Sequence, residues 1–456
     1  MKTALHLSFE SLHFVGIFGS GMSAIAQYLS SNGVRVSGSD RLVDSPHSAT
    51  VKQHLLSAGC SVFPQDGSGI CKHIDAICVS TAIEEHNPDI VAARRLGIPV
   101  LHRSDVLAAI VKTKKCIAVA GTSGKSTVTA MIFELLTACK KSPSLISGAP
   151  LRSLQQMGML GNAFCGKSEL LVVEADESDG TIVKYEPYAS ITLNISKDHK
   201  PEEDVLKMFL QLSKQSKWTA VNADEPKLNN IEAMTTFGFG DSAQFKGIKT
   251  KMETLSSTIT VGKTSYMLPI PGEYNASNLL AALCICHHFG CDESTLVNAV
   301  ANYKGVERRF EIHHTTSGVI VIDDFAHNPE KIRAAVNAAK NMSGRIIAVY
   351  QPHGFAPTRF LKNEYAKTFG EIFSSTDILC LLPVYYAGGT AIKDISSQEI
   401  IELTGNTAFH AVAVENRDEA LKLISKNAKK NDCILLMGAR DPSLSLFKEQ
   451  IIKHLS

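Results

Sequence analysis

A charge excess of either sign is missing from this 456-residue chain: 46 Lys and Arg stand against 45 Asp and Glu, leaving +1 at pH 7. Without a field of one sign there is no general attraction for nucleic acid or for a membrane surface. Long apolar runs are missing too. A membrane span needs roughly 18 such residues, and near the N-terminus Glu10 already interrupts the few apolar positions after Lys2. The 11 cysteines contain no Cys-x-x-Cys pair; an odd, scattered set in a long chain without a secretory signal fits free thiols in a reducing compartment. These absences predict a soluble cytoplasmic protein with small-molecule partners and no nucleic-acid or membrane partner. A monomer or weak homodimer is expected. The length exceeds one ordinary core, so about two to four domains are expected.

What is present is dominated by Ile117–Met131, IAVAGTSGKSTVTAM. An apolar run, a Gly-rich turn and a helix-favouring tail read as strand, tight loop and helix, the architecture of a phosphate-binding loop. A strict pattern would place a glycine five residues before Gly124, where the chain has Val119. The shortened form Gly121-Thr122-Ser123-Gly124-Lys125-Ser126-Thr127 remains. In it, backbone N–H groups and the following helix N-terminus would face phosphates, Lys125 would reach the outer ones, and the Ser126 hydroxyl would ligate Mg²⁺. The competing reading is a turn that the two glycines merely shape.

Leu12–Gly19 (LHFVGIFG), an amphipathic stretch to Ser31 and the strand-like Val34–Gly38 ending in Asp40 form a β-α-β opening of Rossmann type. Its glycines Gly16, Gly19 and Gly21 are spaced G-x-x-G-x-G, with Phe18 where a dinucleotide-binding glycine belongs. That spacing argues against a nicotinamide cofactor. It leaves a loop for the diphosphate of another nucleotide, or a structural turn. Further βα alternation runs to Val111, and Lys112-Thr113-Lys114-Lys115 reads as a solvated linker.

After the phosphate loop, the apolar run Glu169–Glu174 leads into Ala175-Asp176-Glu177-Ser178-Asp179-Gly180. This acidic turn is either simply exposed or, because parallel strands share one C-terminal edge, positioned so that Glu174 reaches a metal held by phosphates. Ser190–Ile195 would bring His199 to the same edge, as a metal ligand beside Glu174 and Ser126 or as an ordinary surface or core histidine. Phe237–Leu268 reads as a β-rich excursion. Asn275 and Asn278 lie three apart on one helix face, where paired amides could read an adenine edge or serve a helix start. Cys284, His287, His288 and Cys291 share a helical stripe, but one straight helix cannot wrap four ligands around a tetrahedral ion, so core packing is expected. A third βα series follows Tyr303–Arg309, with strands near 319–323, 345–350, 378–384, 409–414 and 433–437 and no complete phosphate loop. Asp324 and His327 fall where its first strand meets a helix, facing a ligand or capping that helix.

Taken in order, HFVGIFGSGMSAIA, VSGSD, NPDIVAARRLGIPVLHRSDVLA, AGTSGKST, VVEADESDG, NISKDH, GEYNASNLLAA, GVERRFE, VIDDFAHNP and YQPHGFAPTR resemble the motifs of the Mur ligases, most closely the alanine-adding branch. The resemblance implies an α/β protein of three domains: a Rossmann-like domain binding a UDP-sugar (1–112), a central ATPase of phosphate-loop type (113–307), and a Rossmann-like ligase domain (308–456). It implies that ATP activates the carboxylate of a UDP-N-acetylmuramate-type nucleotide sugar as an acyl phosphate, which an amino acid attacks through its amino group. By the same resemblance Lys125, Glu174 and His199 are catalytic, and Ser126, Glu174 and His199 hold Mg²⁺. Asn275, Asn278, Arg309, Asp324 and His327 contact ATP; Gly19, Ser20, Gly21, Met22, Ser39, Asp40, Phe325 and Arg359 contact the nucleotide sugar or acceptor. The chain departs from the branch at Phe18, Ser123, Phe325 and Pro201, and keeps only Arg359 in the stretch where Gly354 and Pro357 replace a cation-rich pattern. These departures bear on the acceptor, so a peptide or another amino acid is the alternative within ligases. A nucleotide-dependent oxidoreductase and a catalytically inactive binding protein are the alternatives outside them.

Overall fold

The computed structural model describes residues 9–196, 200–386, 392–405 and 408–456. Its first sheet follows the β-α-β reading: five parallel strands lie in the spatial order Ser61–Pro64, Arg35–Asp40, Ser11–Val15, Ala76–Val79 and Val100–His102. Ser11–Val15 is buried along its whole length, as a central parallel strand covered on both faces must be. The helix Ser20–Ser31 begins directly after the glycine loop and buries Met22 through Leu29.

The second sheet has ten strands, in the order Thr264–Leu268, Ser257–Val261, Phe245–Met252, Thr235–Gly238, Trp218–Asn222, Ala189–Thr192, Lys115–Ala120, Leu170–Glu174, Ser144–Ile146 and Ala163–Phe164. Its centre is parallel, and the predicted β-rich excursion is an antiparallel extension of one edge. A continuous apolar cluster joins this sheet to the first: Leu12, Phe14 and Ile25 belong to the same core as Cys116, Ala118, Val173 and Phe209. The expected solvated linker is therefore largely absent. The helix Arg103–Lys112 ends two residues before the strand that begins at Lys115, and the Lys115 ammonium lies 4.1 Å from the Tyr188 ring centroid. A run of lysines looks like a tether in sequence; here Lys112 closes the helix and pairs with Glu186, and Lys115 opens the strand.

Contacts divide the chain into two units. One comprises 1–252, 257–269 and 273–307 and holds both sheets just described; the other comprises 253–256, 270–272 and 308–456. The second unit has six strands in the order Glu311–His314, Ile320–Asp324, Cys433–Gly438, Ile346–Gln351, Ile378–Leu381 and His410–Ala413. The five expected strands are present. The edge strand Glu311–His314, antiparallel to Ile320–Asp324, was not expected because EIHH carries no apolar run. Its stabilisation is ionic: Glu311 accepts from Lys448 at 3.2 Å and contacts His313 at 2.8 Å.

Among the described residues no helix is long and apolar enough to cross a membrane. The Cys284–Cys291 stripe packs as core and aromatic surface, with His288 stacked on Trp218 at a centroid distance of 4.0 Å.

His13 sits fully buried on the central strand of the first sheet, its Nδ1 2.9 Å from Ser37 Oγ and its Nε2 without a partner. Burial pushes its pKa from 6.5 down to about 4. Between these values the unfolded chain binds a proton that the folded chain refuses, so stability falls as pH drops from 6.5 towards 4 and this loss ends below about 4. The expected contribution is about 3 kcal/mol. Thermal unfolding between pH 7.5 and 4 checks it: His13→Gln should have a visibly flatter dependence than the wild type, and identical slopes would refute the assignment.

Candidate active site

The phosphate loop leaves the C-terminal end of Lys115–Ala120, between Leu170–Glu174 and Ala189–Thr192. Register aligns Val119 with Glu174 and Ala120 with Thr192, so the glycine turn, Glu174 and the segment after Thr192 meet at one sheet edge. Gly121 has φ +143°, and a Cβ there would lie 3.0 Å from the Leu193 Cβ. Gly124 has φ +84°, and its Cβ would lie 2.5 Å from Asn278 Oδ1. Both positions exclude a side chain on two grounds, backbone conformation and space.

The loop is held from outside by Asn194. Its Oδ1 accepts from Ser123 N–H at 2.8 Å and from the Thr122 hydroxyl at 3.1 Å, while its Nδ2 donates to the Ser123 carbonyl at 3.0 Å. The Thr122 N–H also donates to the Asn194 carbonyl at 3.2 Å. Asn194 belongs to the NISKDH motif, yet nothing in one sequence distinguishes an amide that clamps a loop 71 residues away from any other strand-end asparagine.

Lys125 opens the helix Lys125–Ala138. Its ammonium donates to the Gly121 carbonyl at 2.7 Å and pairs with Glu177 Oε2 at 2.8 Å. The side chains are only 12% and 6% exposed. Burial lowers the lysine pKa, but the carboxylates of Glu177, Asp176 and Glu174 more than offset this and hold it above its ordinary value. Burial raises the Glu177 carboxyl, with Lys125 opposing. Glu177 was read only as part of an acidic turn; the fold makes it the counter-ion of the phosphate-loop lysine.

Ser126 Oγ donates to Glu174 Oε1 at 3.0 Å, and Glu174 Oε2 accepts from Gly148 N–H at 2.8 Å. A hydroxyl and a carboxylate oxygen thus converge at the helix start, a hard-oxygen pair that fits Mg²⁺ better than a soft metal. His199, the other expected ligand, lies outside the described residues. Asn275 and Asn278 are buried inside the helix Glu273–His288. Asn278 lies beyond the first turn and against Gly124, so a helix-start role does not explain it.

In the first sheet, Gly19 and Ser20 are exposed at the start of Ser20–Ser31, Gly21 is half-buried and Met22 is buried. Asp40 accepts from the Phe18 and Leu42 N–H groups, both at 3.0 Å, and so shapes the glycine loop. Ser39, expected to contact the nucleotide sugar, is buried and its hydroxyl donates to Asp89. Asn162, which sequence reading passed over, donates to the Ser20 carbonyl and Ser23 Oγ at 2.8 and 2.9 Å and accepts from Gln27 at 2.9 Å. It ties this helix to the second sheet's body.

Within the other unit, Arg308 is buried, pairs with Asp323 at 3.3 Å and donates to the Gly438 carbonyl at 2.7 Å. It anchors the unit from inside. Arg309 lies over the Phe325 ring at 4.6 Å. Asp324 accepts from the Phe310 and Ala326 N–H groups, both at 2.8 Å; the helix Pro329–Lys340 is capped by Asn328 instead. The His327 ring is edge-on to Phe325, and Arg359 is exposed and paired with Asp394.

A strand, a short glycine loop closed by a lysine, and a helix at the edge of a parallel sheet define an α/β protein of the phosphate-loop class. Matches to the Mur ligase family catalytic domain over 11–115, the Mur ligase middle domain over 119–286 and the Mur ligase glutamate ligase domain over 308–440 span nearly the whole chain. The chain belongs to the Mur ligase family. It is 32% identical over 462 residues to the UDP-N-acetylmuramate–L-alanine ligase of Sulfurihydrogenibium sp., covering 98% of each chain, and 33% identical over 452 residues to that of Syntrophomonas wolfei, covering 94% of each. The crystal structure of UDP-N-acetylmuramate–alanine ligase from Thermotoga maritima superimposes with a TM-score of 0.80 at 26% identity, covering 97% of this chain and 98% of that one.

Asn194→Ala removes three side-chain hydrogen bonds from the loop. The expected result is an ATP KM raised about tenfold or more and a loss of roughly 1–3 kcal/mol of stability; nucleotide titration and denaturant unfolding check both.

Proposed function

We infer that this chain is an ATP-dependent ligase that joins the carboxylate of UDP-N-acetylmuramate to the amino group of L-alanine, a step of peptidoglycan precursor synthesis, in the cytoplasm. The observation that carries this reading is full-length similarity to two alanine-adding ligases together with an intact loop, lysine and Ser126–Glu174 pair.

The chemistry explains why such a site is needed. An amine does not displace oxide from a resonance-stabilised carboxylate. Phosphorylation by ATP converts that oxygen into a leaving group: the carboxylate attacks the γ-phosphorus, ADP departs, and the resulting acyl phosphate is attacked by the neutral amine. The tetrahedral adduct collapses to the amide and inorganic phosphate. Bringing a carboxylate to a polyphosphate requires neutralising several negative charges at once.

Lys125 and the N–H groups of Gly121–Thr127 would hold and orient the phosphates, and Asn194 keeps those N–H groups aimed. Asn278, beside Gly124, and Asn275 on the same helix would meet the nucleotide base. Ser126 and Glu174 would hold Mg²⁺ with His199 as a further ligand, and the ion when bound supplies charge screening between phosphate and carboxylate. The Gly19–Met22 loop and Asp40 would receive the uridine diphosphate. Arg309, Asp324, His327, Phe325 and Arg359 are assigned to nucleotide and acceptor contacts of the ligase domain, 308–456.

Phosphate release with ATP, Mg²⁺ and UDP-N-acetylmuramate against single amino acids and short peptides tests the reading. Turnover should depend on L-alanine; turnover with peptides alone would replace the acceptor, and none with any acceptor would leave a binding protein. Lys125→Ala should lower kcat by at least three orders of magnitude. Because it strands a buried Glu177, it should also lower Tm. Lys125→Met combined with Glu177→Gln should recover Tm without recovering turnover, and recovery of both would show that the lysine is structural only.

A further inference from the structure

Resting on the assignment of the Gly19–Met22 loop to a nucleotide diphosphate, a cation at that loop stands out. Arg103 is the first residue of the helix Arg103–Lys112. Its guanidinium Nη1 occupies the space a side chain at position 21 would need: a Cβ on Gly21 would lie 2.9 Å from it. Arg103 therefore lies directly against the loop where a diphosphate would sit, and its planar fork suits bidentate contact with phosphate oxygens.

One arm of that fork is already occupied. Nη2 contacts Asp179 Oδ2 at 2.9 Å and Asp176 Oδ2 at 3.7 Å. The Asp179 side chain is 6% exposed and that of Arg103 23%, so the pair is largely withdrawn from water and its anion cannot be replaced by solvent without cost. Asp179 divides its two oxygens: Oδ1 accepts from the Thr181 N–H at 3.0 Å and the Thr181 hydroxyl at 2.5 Å, while Oδ2 accepts from Arg103 at 2.9 Å. The same turn gives Glu177 to Lys125. One acidic segment thus neutralises a cation at each of the two glycine loops.

We propose that Arg103 is a diphosphate-binding residue of the sugar-nucleotide site, and that Asp179 is a built-in competitor holding it until the nucleotide's diphosphate takes over the guanidinium. Binding is then an exchange of anions on one cation. The substrate-free protein keeps the charge satisfied, and substrate entry releases the turn that also carries the Lys125 counter-ion.

Direct binding of UDP, measured by calorimetry with the full chain, tests this. Arg103→Ala should weaken UDP binding at least tenfold, and Arg103→Lys, which keeps charge but loses the fork, should fall between it and the wild type. Asp179→Asn keeps an Oδ1 acceptor for Thr181 and loses the charge that competes for Arg103, so it should tighten UDP binding severalfold. In an Arg103→Ala background the same change should have no effect. A purely structural pair would instead make both single variants weaker binders with lowered Tm. Weakened UDP binding in Asp179→Asn, or wild-type affinity in Arg103→Ala with wild-type Tm, overturns the exchange. Failure of the wild type itself to bind UDP would overturn the sugar-nucleotide assignment beneath it, a result distinct from either.

Discussion

A lysine ammonium cannot be left buried without an anion, and the pairing of Lys125 with Glu177 answers that constraint. The ammonium is pinned at 2.8 Å to a carboxylate and at 2.7 Å to the Gly121 carbonyl of its own loop, so it is charged and localised before any nucleotide arrives. The cost of desolvating both ions is recovered only because the geometry is close and further acids lie nearby. The acidic turn after Leu170–Glu174 therefore packs against the phosphate loop, where an exposed turn would have been the simpler reading of ADESDG. Glu174, at the head of the turn, faces Ser126. Glu177 faces Lys125 and Asp179 faces Arg103.

This arrangement depends on a core that does not stop at the domain boundary suggested by the sequence. Leu12, Phe14, Ala24 and Ile25 of the first sheet and its helix share an apolar cluster with Cys116, Ala118, Val173 and Ile195 of the second. Asn162 adds polar links to Ser20, Ser23 and Gln27. The Gly19–Met22 loop and the Gly121–Thr127 loop consequently belong to one body, and their spacing is set by packing. The unit holding 308–456 has its own organising charge cluster, in which Arg308 and Lys448 face Asp323 and Glu311. Burial raises the Asp323 carboxyl to about 6 even with Arg308 and Lys448 opposing. Arg308 takes a left-handed backbone conformation, φ +55°, a strained choice that lets its side chain turn inward.

Much of the fold was legible because parallel strands covered on both faces must be apolar runs, and KCIAVA, LLVVE and IIAVYQ are such runs. The edge strand EIHH was not, since its stabilisation comes from ions on other elements. The phosphate loop could be read from spacing alone, because its glycines, lysine and hydroxyl act within a few residues of one another. Asn194, Glu177, Arg103 and Asn162 could not be assigned roles in this way. Each acts on a partner between 52 and 142 positions distant, and a polar residue at a strand or helix end looks the same whether it clamps a loop or faces water.

The sequence by itself determined the class: a shortened phosphate loop, a Rossmann-type opening without a dinucleotide glycine, and ten ordered motifs suffice, because local backbone geometry and hydrophobic periodicity are encoded in neighbouring residues. Only the tertiary structure decided which charges meet. It turned Ser39 inward onto Asp89, made Arg308 an internal anchor, and set Glu177 and Asp179 against the cations of two separate loops. Charge pairing is a matter of distance in space, and at these positions the chain's own order carries no measure of that distance.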